Sequence, residues 1–159
     1  MRVGRARLWF TIAAIAGVLH GLFSLYWATG GNWLVSTLGT QLTETFDGKR
    51  WLLYPVAAAK IAGALLPLYW TLRGWPAQRF WYWLCWVGAA GLIIWGGINT
   101  VTGNLVLSGL VKPAGGYDRD GMIGHAWLWD PLFLVWGITL AVGLYLGRRT
   151  AGRAGRPAR

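Results

Sequence analysis

The sequence has little of what most catalysts are built from. Its one cysteine, Cys85, can close no disulfide within the chain and run no dithiol redox cycle, so it reads as a buried structural thiol. There are two histidines and five acidic residues, and none of them forms a tight His/acid cluster or joins a thiolate, as a zinc site would need. Charged residues of either sign make up 13% of the chain, about half the usual share of a soluble domain. That scarcity excludes an ordinary solvated surface. "DRDG", from Asp118 to Gly121, lacks the further ligands and closing Glu of a calcium loop, and reads as a solvated turn.

What the chain has in abundance is apolar length. Hydrophobic residues are 55% of its 159 positions, gathered into four stretches at about 8–29, 52–72, 80–102 (extending as far as 111) and 126–147. Each approaches the roughly 20 residues that cross a hydrocarbon core about 30 Å thick. The expected fold is all-α: an integral membrane four-helix bundle forming one four-pass domain over residues 1–159, with a basic tail at 148–159. The first apolar run, at about 22 residues, exceeds a signal-peptide core and no A-x-A-like site follows it, so it reads as a retained helix.

The net charge of +10 is explained by topology rather than by nucleic acid. Arg2, Arg5, Arg7, Arg73, Arg79, Arg148, Arg149, Arg153, Arg156 and Arg159 fall on one side, against Lys49, Arg50, Lys112 and Arg119 on the other. The positive-inside rule then places both termini and the loop around Trp75 in the cytoplasm. The acids Glu44, Asp47, Asp118, Asp120 and Asp130 fall on or near the outer face. The basic tail is suited to anionic lipid headgroups.

Trp9, Trp70, Trp75, Trp81 and Trp83 lie near the inner boundary, and Trp27, Trp33, Trp51, Trp127 and Trp129 near the outer one, the pattern of aromatic belts. Trp86, Trp95 and Trp136 lie deeper and are expected to fill space between helices. Small-xxx-small pairs at Gly17/Gly21, Ala59/Gly63 and Gly143/Gly147 supply notches for close helix approach. In the first outer connection Leu34, Leu38, Leu42 and Phe46 recur every four residues, predicting one interfacial helix with an apolar stripe.

Lys60 stands out. It lies about 12 Å from the outer end of its helix, His20 about 13 Å from the end of the first, and Asp130 about 6 Å into the fourth. An ionisable group at such depth is a functional candidate or needs a partner. The expected arrangement is an outer-leaflet polar cluster of Lys60, Asp130 and His20, with Asn99 and Tyr54 as neighbours. Two readings of Asp130 stand side by side: an N-cap with Pro131 at the first helical position, and a counter-charge for Lys60. His125 sits at the surface, so it does not share His20's depth as a second haem ligand would. The residues indicate no cofactor, no metal and no catalytic set.

"FSLYWATGG" closing the first helix, the lysine within "AAAKIAGALL" and "HAWLWDPLFLVWG" opening the fourth together resemble the small four-helix bacterial membrane proteins grouped as domain-of-unknown-function family 3995. The resemblance runs from about Leu8 to Gly147 and implies a four-pass fold, with no activity to transfer. Three classes of function follow from the residues. The thin polar content points first to a non-enzymatic accessory or scaffold subunit in the bacterial plasma membrane, meeting membrane lipids and a membrane-protein partner or its own copies. The others are an oligomeric small-solute or proton-coupled permease, and a lipid- or quinone-headgroup binding membrane enzyme, both using Lys60, Asp130 and His20.

Overall fold

The computed structural model describes residues 2–151. Its elements are α1 (Arg2–Ala28), a 3-10 turn (Val35–Leu38), α2 (Thr40–Thr45), a second 3-10 turn (Arg50–Leu52), α3 (Leu53–Arg73), α4 (Arg79–Leu107), α5 (Arg119–Gly124), a π turn (His125–Trp129) and α6 (Asp130–Ala151). The described residues are all-helical or irregular, with four helical spans long and apolar enough to cross a membrane: Gly4–Ala28, Arg50–Arg73, Arg79–Leu107 and Arg119–Gly147. Residues 152–159 of the basic tail lie outside the described residues.

The packed helix pairs are α1 with α3, α1 with α6, and α4 with α6. Although consecutive in the chain, α3 and α4 are not such a pair. The four spans therefore form an open arc with α3 and α4 at its ends. The two long connections lie at one end of the helix axes; the first turn of α1, the last turn of α6 and the Gly74–Gln78 loop lie at the other.

Glycine decides how closely the helices approach. A Cβ on Gly17 would lie 2.6 Å from both the Ala64 Cβ and the Trp136 Cε2, so α1 has a notch where α3 and the Trp136 ring enter. A Cβ on Gly96 would sit 2.6 Å from the Asp130 carbonyl oxygen and 2.7 Å from the Leu134 nitrogen, which puts α4 backbone against α6 backbone. Where lipid is as apolar as the side chains, such van der Waals contact holds helices together. Phe10, Ala13, Ala64, Trp136, Leu140 and Leu144 form the main core, and the Tyr82 hydroxyl donates to the Leu144 carbonyl at 2.6 Å.

Several expectations are corrected. The single helix predicted for the first connection is two short ones, interrupted at Gly39 with φ +87 and preceded by Leu34 with φ +60. Leu34, Leu38 and Phe46 pack against Trp27, Leu53 and Trp129. Trp27 and Trp129 are consequently buried rather than part of a belt, while Trp95, expected between helices, is 63% exposed. The helix predicted to open near Ala126 begins at Arg119 and continues through the π turn. Asp118, predicted as part of a solvated turn, is its N-cap: the carboxylate accepts from the Asp120 and Gly121 N–H groups at 3.0 and 3.2 Å. Its other oxygen accepts from the Thr40 N–H at 2.8 Å, tying the second connection to the first. The N–H groups of Gly121, Thr40 and Asp120 hold this carboxyl below the usual carboxylate range.

Candidate functional site

His20 and Ser24 lie four residues apart on α1, so they share a face, and that face meets α3. Lys60 reaches across. Its Nζ donates to the Ser24 Oγ at 2.9 Å and lies 3.1 Å from the His20 Nδ1. It also sits 5.4 Å from the centre of the Phe133 ring of α6, within the range of a cation–π contact. His20 is stacked on that same ring, centroids 3.9 Å apart and planes 27° apart, with the Trp129 ring 5.8 Å away.

The protonation pattern follows from the charge on Lys60. An ammonium has three N–H groups and no acceptor, so with Lys60 protonated the His20 Nδ1 receives one of them and the ring proton resides on Nε2. That Nε2 is buried without a hydrogen-bond partner among the described residues, in a side chain only 5% exposed. Lys60 spends two N–H groups on neutral partners and retains a third.

Asp130 has a different partner. It is 1% exposed, and its Oδ2 lies 2.8 Å from the His125 Nδ1, the one salt bridge among the described residues. The His125 Nε2 is 3.3 Å from the Leu38 carbonyl oxygen. Both nitrogens thus face acceptors, an arrangement that an imidazolium satisfies in full. The pair expected between Lys60 and Asp130 is not formed, and the physical reason is the π turn. Its i→i+5 bonding brings residues five apart to one side and supplies Asp130 with a neighbour that α-helical spacing would turn away. Nor is Asp130 an N-cap, since φ −78 and ψ −37 place it in helical conformation.

Of the other predicted neighbours, neither joins Lys60. Tyr54 is 45% exposed near the start of α3. Asn99 lines a separate cavity of about 420 Å³ at the connection end, together with Gln41, Thr102, Asp118 and His125. Ser24 and Phe133 complete the Lys60 cluster and were not anticipated, although Ser24's four-residue spacing from His20 was a readable signal.

One turn beyond Lys60 lies an apolar groove of about 520 Å³ between α3 and α4. Gly63 and Pro67 of α3, Gly88 and Gly91 of α4, and Trp136 and Leu140 of α6 line it. Gly63 follows Lys60 by three residues and Trp136 follows Phe133 by three, with the Phe133 and Trp136 rings stacked at 6.3 Å. Neighbours three apart lie one above the other on a helix, so Lys60 and Phe133 lie one helical turn from residues that line the groove, while the Lys60 ammonium itself is turned to His20 and Ser24 of α1. At its far end Trp70 and Trp81 meet with centroids 5.6 Å apart. Pro67 carries no N–H, which leaves the Gly63 carbonyl without its helical donor. Cys85, read as a buried thiol, is half-buried and lines the groove.

Among the described residues there is no group of three His, Cys, Asp or Glu side chains able to hold a metal ion. No curated protein and no solved structure matches the chain. A family pattern described as "Protein of unknown function (DUF3995)" matches residues 17–140, a stretch that contains His20, Ser24, Lys60, the π turn and the whole groove. On that match, over most of its length, the chain belongs to the DUF3995 family.

Proposed function

We propose that this is a four-pass plasma-membrane protein, both termini cytoplasmic, that binds an amphiphile drawn from the bilayer and holds it without chemical conversion. The observation that carries this reading is the position of Lys60. It is a cation with a spare N–H and neutral partners only, one helical turn along α3 from Gly63, which lines an apolar groove of about 520 Å³, well within the size of small-molecule sites. An intramembrane cation is costly unless something compensates it, and a ligand's polar head would do so. The permease reading would draw on a Lys60–Asp130 pair, whereas Asp130 is bonded to His125. Both His125 nitrogens are engaged, which leaves that ring no free acceptor with which to act as a base.

A second reading, an accessory subunit, is favoured by one feature: the open flank between α3 and α4 would accept a helix of another membrane protein or of a second copy. One experiment separates the two. Protein purified in mild detergent is extracted with solvent and analysed by mass spectrometry alongside intact-complex mass. The amphiphile reading expects a stoichiometric small molecule that Lys60→Met loses. A stoichiometric protein partner with no small molecule would replace it with the accessory reading.

A further inference from the structure

Resting on the amphiphile reading, we infer that the ligand at Lys60 is a single-chain carboxylate, a fatty-acid-like molecule with its headgroup on the Lys60 ammonium and its chain in the α3–α4 groove. Charge, depth and shape each narrow the choice. The contacts of Lys60 are His20, Ser24 and the Phe133 ring, none of them acidic, so a single negative charge would balance its one positive charge, whereas a phosphomonoester dianion would leave one over. A carboxylate offers several acceptor positions, matching the spare Lys60 N–H. The Ser24 hydroxyl stands beside it, and its own bond to the His20 carbonyl is long, at 3.4 Å.

Depth excludes large heads. The Lys60 backbone lies seven residues past the start of α3, about 11 Å along the helix, and its ammonium meets Ser24, four residues and so about 6 Å from the end of α1. A carboxylate is compact enough to be drawn down to it. The unpartnered His20 Nε2, in a ring that touches Lys60, marks the same place as short of acceptors.

Shape limits the tail to one chain. From Gly63 to Trp70 the groove runs about 10 Å along α3, and from Leu92 to Trp81 about 16 Å along α4, before the Trp70–Trp81 contact ends it. Small residues keep it open: a Cβ on Gly88 or Gly91 would meet nothing within 4 Å. A two-chain lipid would leave its second chain outside.

The test uses the full chain in nonionic detergent, titrated with palmitate, with hexadecanol (same chain, no charge) and with phosphatidylglycerol, and read by native mass spectrometry. Palmitate is expected to bind one per chain, at least about tenfold tighter than hexadecanol. Lys60→Met should erase that preference and Ser24→Ala should reduce it. Gly88→Leu, whose side chain enters open space, should abolish binding with the melting temperature retained. If Lys60→Met fails to fold, Ser24→Ala and the palmitate-to-hexadecanol ratio still decide. Equal binding of hexadecanol and palmitate, blocked by Gly88→Leu, would overturn the carboxylate and leave the amphiphile reading standing. Preference for phosphatidylglycerol would overturn the single chain. Binding that Gly88→Leu leaves untouched would overturn both.

Discussion

Asp130→Asn is the most informative single change outside the groove, because the geometry assigns its effect to His125 and none of it to Lys60. The carboxylate is 1% exposed and 2.8 Å from the His125 Nδ1. Asparagine keeps an oxygen able to accept from that nitrogen but removes the charge. A hydrogen bond between ionised groups is worth about 1.5–3 kcal/mol and a neutral one about 0.5–1.5, so the loss is about 1–2 kcal/mol. No capping energy is forfeited, since Asp130 is helical. In a chain of this size each kcal/mol moves the midpoint by about 2–4 °C, so melts of detergent-solubilised protein should fall by about 2–8 °C. The double-mutant cycle carries the discrimination. Asp130→Asn with His125→Gln should be non-additive by about 0.5–3 kcal/mol, whereas Asp130→Asn with Lys60→Met should be additive within about 0.5 kcal/mol, because Asp130 is bonded to His125 and Lys60 to Ser24 and His20. Rescue of Asp130→Asn by Lys60→Met would refute the assignment and restore a Lys60–Asp130 pair.

Other changes probe the remaining joints. The lowered Asp118 pKa, caused by the Gly121, Thr40 and Asp120 N–H groups, means stability that is present above the unfolded carboxylate value and lost as pH falls through the folded one. Melts between pH 6 and 3 should therefore decline more in the wild type than in Asp118→Asn, and parallel curves would deny the cap. Gly96→Ala places a Cβ 2.6 Å from α6 backbone and should cost about 1–3 kcal/mol; Gly91→Ala, with open space at its Cβ, should cost none, and equal effects would contradict the α4–α6 contact. For the proposed orientation, impermeant thiol labels on intact cells should reach cysteines placed at Ser36 and Gly116 and miss those at Ala77 and Ala154. Reversed labelling would invert the topology.

The spans were legible because length is a strong signal: runs of about 20 apolar residues have few other uses. Lys60 and His20 were legible too, since counting residues from a helix end gives depth directly. Depth is an axial coordinate, however, and says nothing of which way a side chain faces. In a soluble helix the apolar stripe supplies that direction. Here lipid-facing and helix-facing surfaces are alike apolar, so Trp95 and Trp129 exchanged their expected environments and Asn99 was placed beside Lys60 on depth alone. Asp130 was misread for a further reason. A π turn leaves no mark in a 3.6-residue pattern, and Asp-Pro is also the signature of a helix start, which hid the true cap twelve residues earlier at Asp118.

The most direct test of an amphiphile seated at Lys60 is to map where one touches the chain. A fatty acid bearing a photoactivatable diazirine near the middle of its chain is added to the protein in bilayer nanodiscs, illuminated, and its adducts located by peptide mass spectrometry. The account predicts adducts concentrated on Gly63–Trp70 and Trp81–Leu92, with unlabelled palmitate suppressing them and Gly88→Leu abolishing them. Labelling spread evenly over other exposed apolar positions such as Ile15, Ile98 and Val135, with no competition by palmitate, would contradict it.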